Sequence, residues 1–251
     1  MISSGAIAII IFTALVSAIV SGVFGMAGGQ IFLAVLLFYL PVPASMVIFA
    51  VVQIVAGAWR AALWRRYVHW PIVWRFIVGS FVAFLAMRQI SFVPSKAMVY
   101  LGIGLMPFAA FALPAHLAPA ITRRGMAFVC GALVMVLQLV VGQAGNMLDI
   151  FFQTRPLDRK TIVATKAIAQ LMAHGLRILY FGALAGDVAH EFSLAAWATL
   201  VAATMAGTSL ATIALNRMTD AGFRKWTKVI IACFSAIYVA RGLWLIGLGP
   251  Q

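Results

Sequence analysis

Two glycine clusters, each beside a rare polar residue, are where this sequence could do chemistry. Gly25-Met26-Ala27-Gly28-Gly29 and Gly142-Gln143-Ala144-Gly145-Asn146 each end a long apolar run and open a short one. Glycine interrupts a helix at little cost and lets backbone approach closely. A helix restarting at Gly28-Gly29 or at Gly145-Asn146 would present N–H groups without internal partners, at the positive end of its dipole. That is the chemistry of a small-anion site. Close packing between helices is the plainer use of such glycines. Two clusters in matching surroundings weigh toward the anion.

Gln53 and Gln170 lie near the middle of apolar segments. Seven residues on, two turns along the same helical face, come Arg60 and Arg177. A buried amide in hydrocarbon needs a partner, and an intramembrane arginine marks a functional position by default. Gly28, Gly29, Gln53, Arg60, Gly145, Asn146, Gln170 and Arg177 therefore form the expected substrate-binding set. Arg60 is also close enough to the end of its segment to snorkel toward the headgroups. Asp149 is the one carboxylate at membrane depth, and two uses stand open for it: taking up a coupling proton, or pairing with a neighbouring base. His174, one turn before Arg177, is the histidine placed to share proton coupling. His69 and His116 fall in loops and His190 near a boundary. There is no HExxH, no CxxC and no pair of carboxylates, so an enzyme, a metal site and a cofactor are not expected.

The elements that must hold these residues follow from composition. The chain has 251 residues, 65% hydrophobic and 9% charged. Soluble domains carry about 25% charged residues, and this chain has too few to cover an aqueous surface. It reads as an all-α polytopic membrane bundle. Apolar segments at about 5–25, 44–64, 71–90, 94–114, 123–144, 158–182, 190–215 and 225–247 give eight full spans. The pieces at about 28–40 and 145–153 are too short to cross and read as glycine-broken half-helices. The first apolar run lacks a basic flank and reads as a retained span, not a cleaved signal. Cys130 and Cys233 sit inside apolar runs, as buried small hydrophobes do. Trp64, Trp70 and Trp74 read as interfacial anchors. The net charge of +13 marks cytoplasmic loops, so the expected partners are lipid and a small anion, with no nucleic acid.

An internal repeat divides the chain. A shift of 117 residues aligns Gly25–Arg60 with Gly142–Arg177 without a gap, matching Gly25, Ala27, Gly28, Leu40, Ala50, Gln53, Ala56 and Arg60 to identical residues. The match resumes later as Gly79-x3-Ala83 against Gly207-x3-Ala211, small residues that let membrane helices pack closely. One membrane domain of two halves is expected, 1–115 and 123–251, joined near His116–Thr122. If each glycine-broken unit goes in and comes back, the halves are inverted. Arg65, Arg66, Arg123, Arg124, Arg155, Arg159, Lys160, Arg217, Arg224, Lys225 and Lys228 then fall inside, with Arg88 and Lys96 outside. Asp187 and Glu191 fall outside as well. The positive-inside rule favours that arrangement over parallel halves. Inverted halves with broken helices meeting near the midplane are the architecture of secondary transporters. Cation carriers place acids inside the bundle. This one offers Asp149 against Arg60, Arg75, Lys166, Arg177 and Arg241, which points to an anion.

With its two glycine clusters and the basic turn Arg65-Arg66-Tyr67-Val68-His69-Trp70, the sequence resembles the sulfite exporter TauE/SafE family over essentially its whole length. Alanine stands at the third position of each cluster, and Ala34 where that family has proline. The resemblance implies a multi-pass protein of the bacterial inner membrane. It also implies movement of sulfur-containing anions such as sulfite, thiosulfate or organosulfonates. A passive anion channel of the same architecture, or a transporter of another small carboxylate or oxyanion, is the alternative. Direction of transport, coupling ion and oligomeric state, a homodimer included, are not written in the sequence.

Overall fold

Apolar runs this long have to satisfy their backbone within the segment, and helices are how they do it. The computed structural model describes residues 2–24, 27–112, 119–152, 157–186, 192–216 and 220–247, and every regular element among them is helical. In chain order the helices are α1 (Ser4–Phe24), α2 (Ala27–Tyr39), α3 (Val42–Trp64), α4 (Trp70–Ile90), α5 (Lys96–Ala112), α6 (Met126–Val140), α7 (Gly145–Phe152), α8 (Arg159–Phe181), α9 (Leu194–Asn216) and α10 (Asp220–Gly247). Gly25, Met26, His116, Arg155, Asp187, His190, Glu191 and Arg217, on which the reading above drew, lie outside the described residues.

Among the described residues, five helical stretches are long and apolar enough to cross a bilayer: Ser4–Val23, Val42–Ala62, Trp70–Ile90, Lys160–Leu184 and Leu194–Ala211. The chain is a membrane protein. Gly28–Tyr39, Lys96–Phe108, Met126–Val140 and Ile231–Gly247 are apolar but shorter. The two short pieces foreseen from sequence are α2 and α7. At Gly142, between α6 and α7, the backbone takes φ +84°, which only glycine adopts without strain.

Local chemistry sets several helix starts. Asp158 caps α8, its carboxylate accepting from the Thr161 amide at 3.0 Å and the Thr161 hydroxyl at 2.5 Å. Those bonds to Thr161 hold its carboxyl below the usual aspartate value. α3 starts at Pro41, which offers no side-chain cap, with a further proline in the first turn.

The long helices pair across the middle of the chain: α1 with α9, α4 with α6, α3 with α8, and α5 with α10. Exchanging the first five helices for the last five leaves that set of pairs unchanged. Small residues make two of the crossings. A Cβ on Gly79 would fall on the carbonyl of Phe128 in α6, and one on Gly207 would crowd the carbonyl of Leu15 in α1. The α3–α8 pair is antiparallel. Lys160 lies over the Trp64 ring at 5.4 Å at one end, and the Phe49 and His174 rings stand 6.0 Å apart near the other. The α5–α10 pair is antiparallel too. Gly242 meets Leu101 while Gly104 meets Ser235 and Tyr238.

Candidate functional site

A helix face repeats every three to four residues, so side chains four apart form a stripe. On α8 that stripe is Lys166, Gln170 and His174; on α3 it includes Phe49, Gln53 and Arg60. The antiparallel pairing turns both stripes toward the start of α7. Between them lies a cavity of about 160 Å³. Ser21 of α1 and Gln138 of α6 complete its rim, and Gln143, Ala144, Gly145 and Asp149 form the wall from the glycine break into α7. A smaller gap of about 10 Å³ adjoins it between α1, α3 and α9. It shares Ser21, Gln53 and Arg60 with the main cavity and adds Ser17, Thr204 and Thr208. That volume suits a single water.

Of the residues singled out from sequence, Gln53, Arg60, Gly145, Asp149, Gln170 and His174 line the main cavity. Gly28, Gly29, Asn146 and Arg177 do not. Gly29 lies just behind the wall, where a Cβ would stand 3.4 Å from the Phe49 ring and 3.5 Å from Nε2 of Gln143. The two glycine clusters thus adjoin. Gly28 is buried under α1, and its Cβ would collide with the carbonyl of Ser17 and the amide of Ser21. Asn146 is 5% exposed, and its Oδ1 has no hydrogen-bond partner among the described residues.

The charged groups divide into three settings. Asp149 forms an ion pair with Lys166, and both side chains remain partly exposed. Arg60 donates from Nε to the carbonyl of Ala56, one turn back in its own helix, at 3.3 Å. Arg177 is fully buried. Its Nη1 and Nη2 both donate to the carbonyl of Gly142, Nη2 at 2.8 Å, and its guanidinium lies 4.9 Å from the centre of the Phe49 ring. Arg177 therefore fixes the break that presents the start of α7, and acts as a positioning residue. His174 is 4% exposed, its ring against Phe49, and its Nδ1 has no partner among the described residues.

Sequence reasoning passed over Ser21 and Gln138, although the 117-residue shift superposes them, each four positions before its glycine cluster. Lys166 was visible as an intramembrane base, but its pairing with Asp149 depends on how α7 packs on α8.

Chemically, the site combines amide donors, two cationic side chains, one carboxylate already paired, and the N-terminal end of a helix. In low dielectric such a set suits a small anion whose oxygens take several hydrogen bonds at once. The family model of the sulfite exporter TauE/SafE matches residues 10–239 of the chain. No curated protein and no solved structure matches it.

Proposed function

The chain belongs to the sulfite exporter TauE/SafE family, and we propose that it is a secondary transporter carrying small sulfur-containing anions across a bacterial inner membrane by alternating access. The observation that carries this reading is the cavity between α3 and α8. Its two glutamines, Gln53 and Gln170, come from equivalent places in the repeat, and its lining bears more cation than anion. A cation carrier would need the reverse balance at this depth. Sulfite, thiosulfate and sulfonates each present several oxygens to the amides, to Arg60 and Lys166, and to the start of α7.

The architecture proposed is eight crossings plus the half-helices α2 and α7, in two inverted halves, 1–115 and 123–251. Support comes from the reciprocal helix pairing and from the antiparallel course of α3 on α8 and of α5 on α10. Helices at equivalent places in two halves run antiparallel when the axis relating the halves lies in the membrane plane. The Trp64–Lys160 contact puts the basic segments around residues 65 and 160 at one end, as the positive-inside rule requires of a cytoplasmic face. Cysteines introduced in Arg65–Trp70 and in Gly182–Glu191 should label from opposite sides of intact cells. Labelling of both from one side would rule out inversion.

The transport reading is tested on the purified protein. Sulfite, thiosulfate, sulfate, sulfonates and carboxylates are compared for thermal stabilisation, which binding to the native state produces once ligand exceeds its dissociation constant. The stabilising anion is then followed in proteoliposomes. Saturable uptake with counterflow is expected. No stabilisation by any sulfur anion would sink the substrate class, and flux without saturation or counterflow would mean a channel.

A further inference from the structure

The shift of 117 residues that superposes the halves sets Phe32 against Asp149 and Phe49 against Lys166. In the first half these positions hold two stacked rings, centroids 6.3 Å apart with planes at 26°. In the second half the corresponding helices, α7 and α8, meet there through the Asp149–Lys166 ion pair. An aromatic pair is enough to pack this contact, as α2 and α3 show. A charged pair in the same place bears a desolvation cost that packing does not require. The ion pair also stands in the cavity wall, partly exposed to it. Its consequence lies in the charge of that cavity.

Among the described residues, the charged and titratable groups around the cavity come from three helices: Arg60 on α3, Lys166 and His174 on α8, and Asp149 on α7. Arg60 pairs with no carboxylate among the described residues. Arg177 stands behind the Phe49 ring, engaged with Gly142, and the Cys130 thiol of α6 is buried in the apolar packing around α7. With His174 neutral, the lining carries Arg60 and Lys166 less Asp149, one net positive charge.

We infer that Asp149 determines the valence of the transported anion: by neutralising Lys166 it matches the cavity to a singly charged oxyanion such as a sulfonate over a dianion. This inference rests on the anion-transport reading above. A monoanion balances the lining, whereas a dianion leaves one uncompensated charge inside the membrane, where charge is costly.

The test measures dissociation constants of the purified full-length protein for methanesulfonate and for thiosulfate, in buffer free of other small oxyanions. Wild type should bind methanesulfonate the more tightly. Asp149→Asn adds one positive charge to the lining and should move the ratio toward thiosulfate by about tenfold or more, the scale of one nearby charge in a partly screened interior. The double variant Asp149→Asn, Lys166→Gln returns the lining to one positive charge and should restore the wild-type ratio. Size-exclusion profiles establish that the variants are folded. Tighter thiosulfate binding by wild type overturns the inference without recourse to any variant. So does an unchanged ratio in Asp149→Asn, or a double variant that keeps the shifted ratio. If wild type binds neither anion, it is the transport reading that fails.

Discussion

The two halves place the same backbone around the cavity and then use it differently. Gly28 and Gly145 are equivalent in the repeat, yet Gly28 is covered by the α1 backbone while Gly145 faces the cavity. Arg60 and Arg177 are equivalent too. Arg60 lines the cavity, and Arg177 is withdrawn from it to hold the Gly142 carbonyl. At the α2–α3 contact sit Phe32 and Phe49, and at the α7–α8 contact the ion pair. Among the described residues that line the cavity, only Gln53 and Gln170 keep both identity and place. A repeat therefore fixes where helices run, while the residue at each equivalent point is free to become packing in one half and chemistry in the other. The first half is mostly support that lends Arg60 and Gln53; the second supplies the ion pair of Asp149 and Lys166.

Substitutions at equivalent positions should separate these roles. The largest contrast is expected at the glycines. Gly28→Ala drives a methyl into the α1 backbone, and overpacking of this kind costs about 1–3 kcal/mol or more when backbone must shift. Its yield after detergent extraction and its melting temperature should fall sharply. Gly145→Ala should extract and melt like wild type and lose anion binding. Equal stability loss in both would erase the distinction.

The arginines come next. Arg177→Leu removes two hydrogen bonds from a charged donor to the Gly142 carbonyl and should lower stability by about 1.5–3 kcal/mol. Arg60→Leu should leave the melting temperature of the empty protein nearly unchanged and weaken the stabilisation given by bound anion. The reverse pattern would exchange their roles.

For the glutamines the comparison predicts sameness. Gln53→Leu and Gln170→Leu should each weaken anion binding by about 1–3 kcal/mol, the cost of leaving a buried partner unpaired. A strong effect in one and none in the other would show that the symmetry of the cavity is only geometric.

The smallest contrast is at the caps. Position 158 is equivalent to Pro41, which caps α3 without a side-chain hydrogen bond, so Asp158→Ala should cost α8 modestly and only while the carboxyl is ionised. The Asp158 carboxyl is held below its usual value by Thr161. Its stabilisation is therefore fully present above the unfolded-state value and lost as pH falls through the folded one. Melting temperatures of variant and wild type should converge on acidification; a gap that persists would show that the cap does not depend on charge.

Much of this was legible from periodicity and composition. The segments expected at 44–64, 71–90 and 158–182 correspond to Val42–Trp64, Trp70–Ile90 and Arg159–Phe181. The run expected at 123–144 is shorter as a helix, Met126–Val140, because the break at Gly142 takes its end. The rare intramembrane amides and bases pointed to the faces of α3 and α8 that line the cavity, since helical spacing survives any packing. What spacing could not separate was Arg60 from Arg177. The two share residue type and repeat position, and they differ in what lies around them: the Gly142 carbonyl for buried Arg177, the cavity for Arg60. Likewise nothing local distinguishes a lone Asp149 from one that meets Lys166, because that depends on the angle between α7 and α8.

The bond from Arg177 to Gly142 spans 35 residues of chain, and synthesis runs from one to the other. At about 5–20 residues per second, Arg177 leaves the ribosome some 2–7 s after Gly142. Through that interval the carbonyl at the turn has neither helix nor guanidinium to satisfy it, and the eight residues of α7 cannot cross a bilayer alone. The newborn α6–α7 segment must therefore wait, sheltered by the insertion machinery or held at the aqueous interface, until α8 arrives. The α6–α7 turn is completed only once α8 has been made, and a chain stalled before residue 177 would lack the guanidinium that closes it.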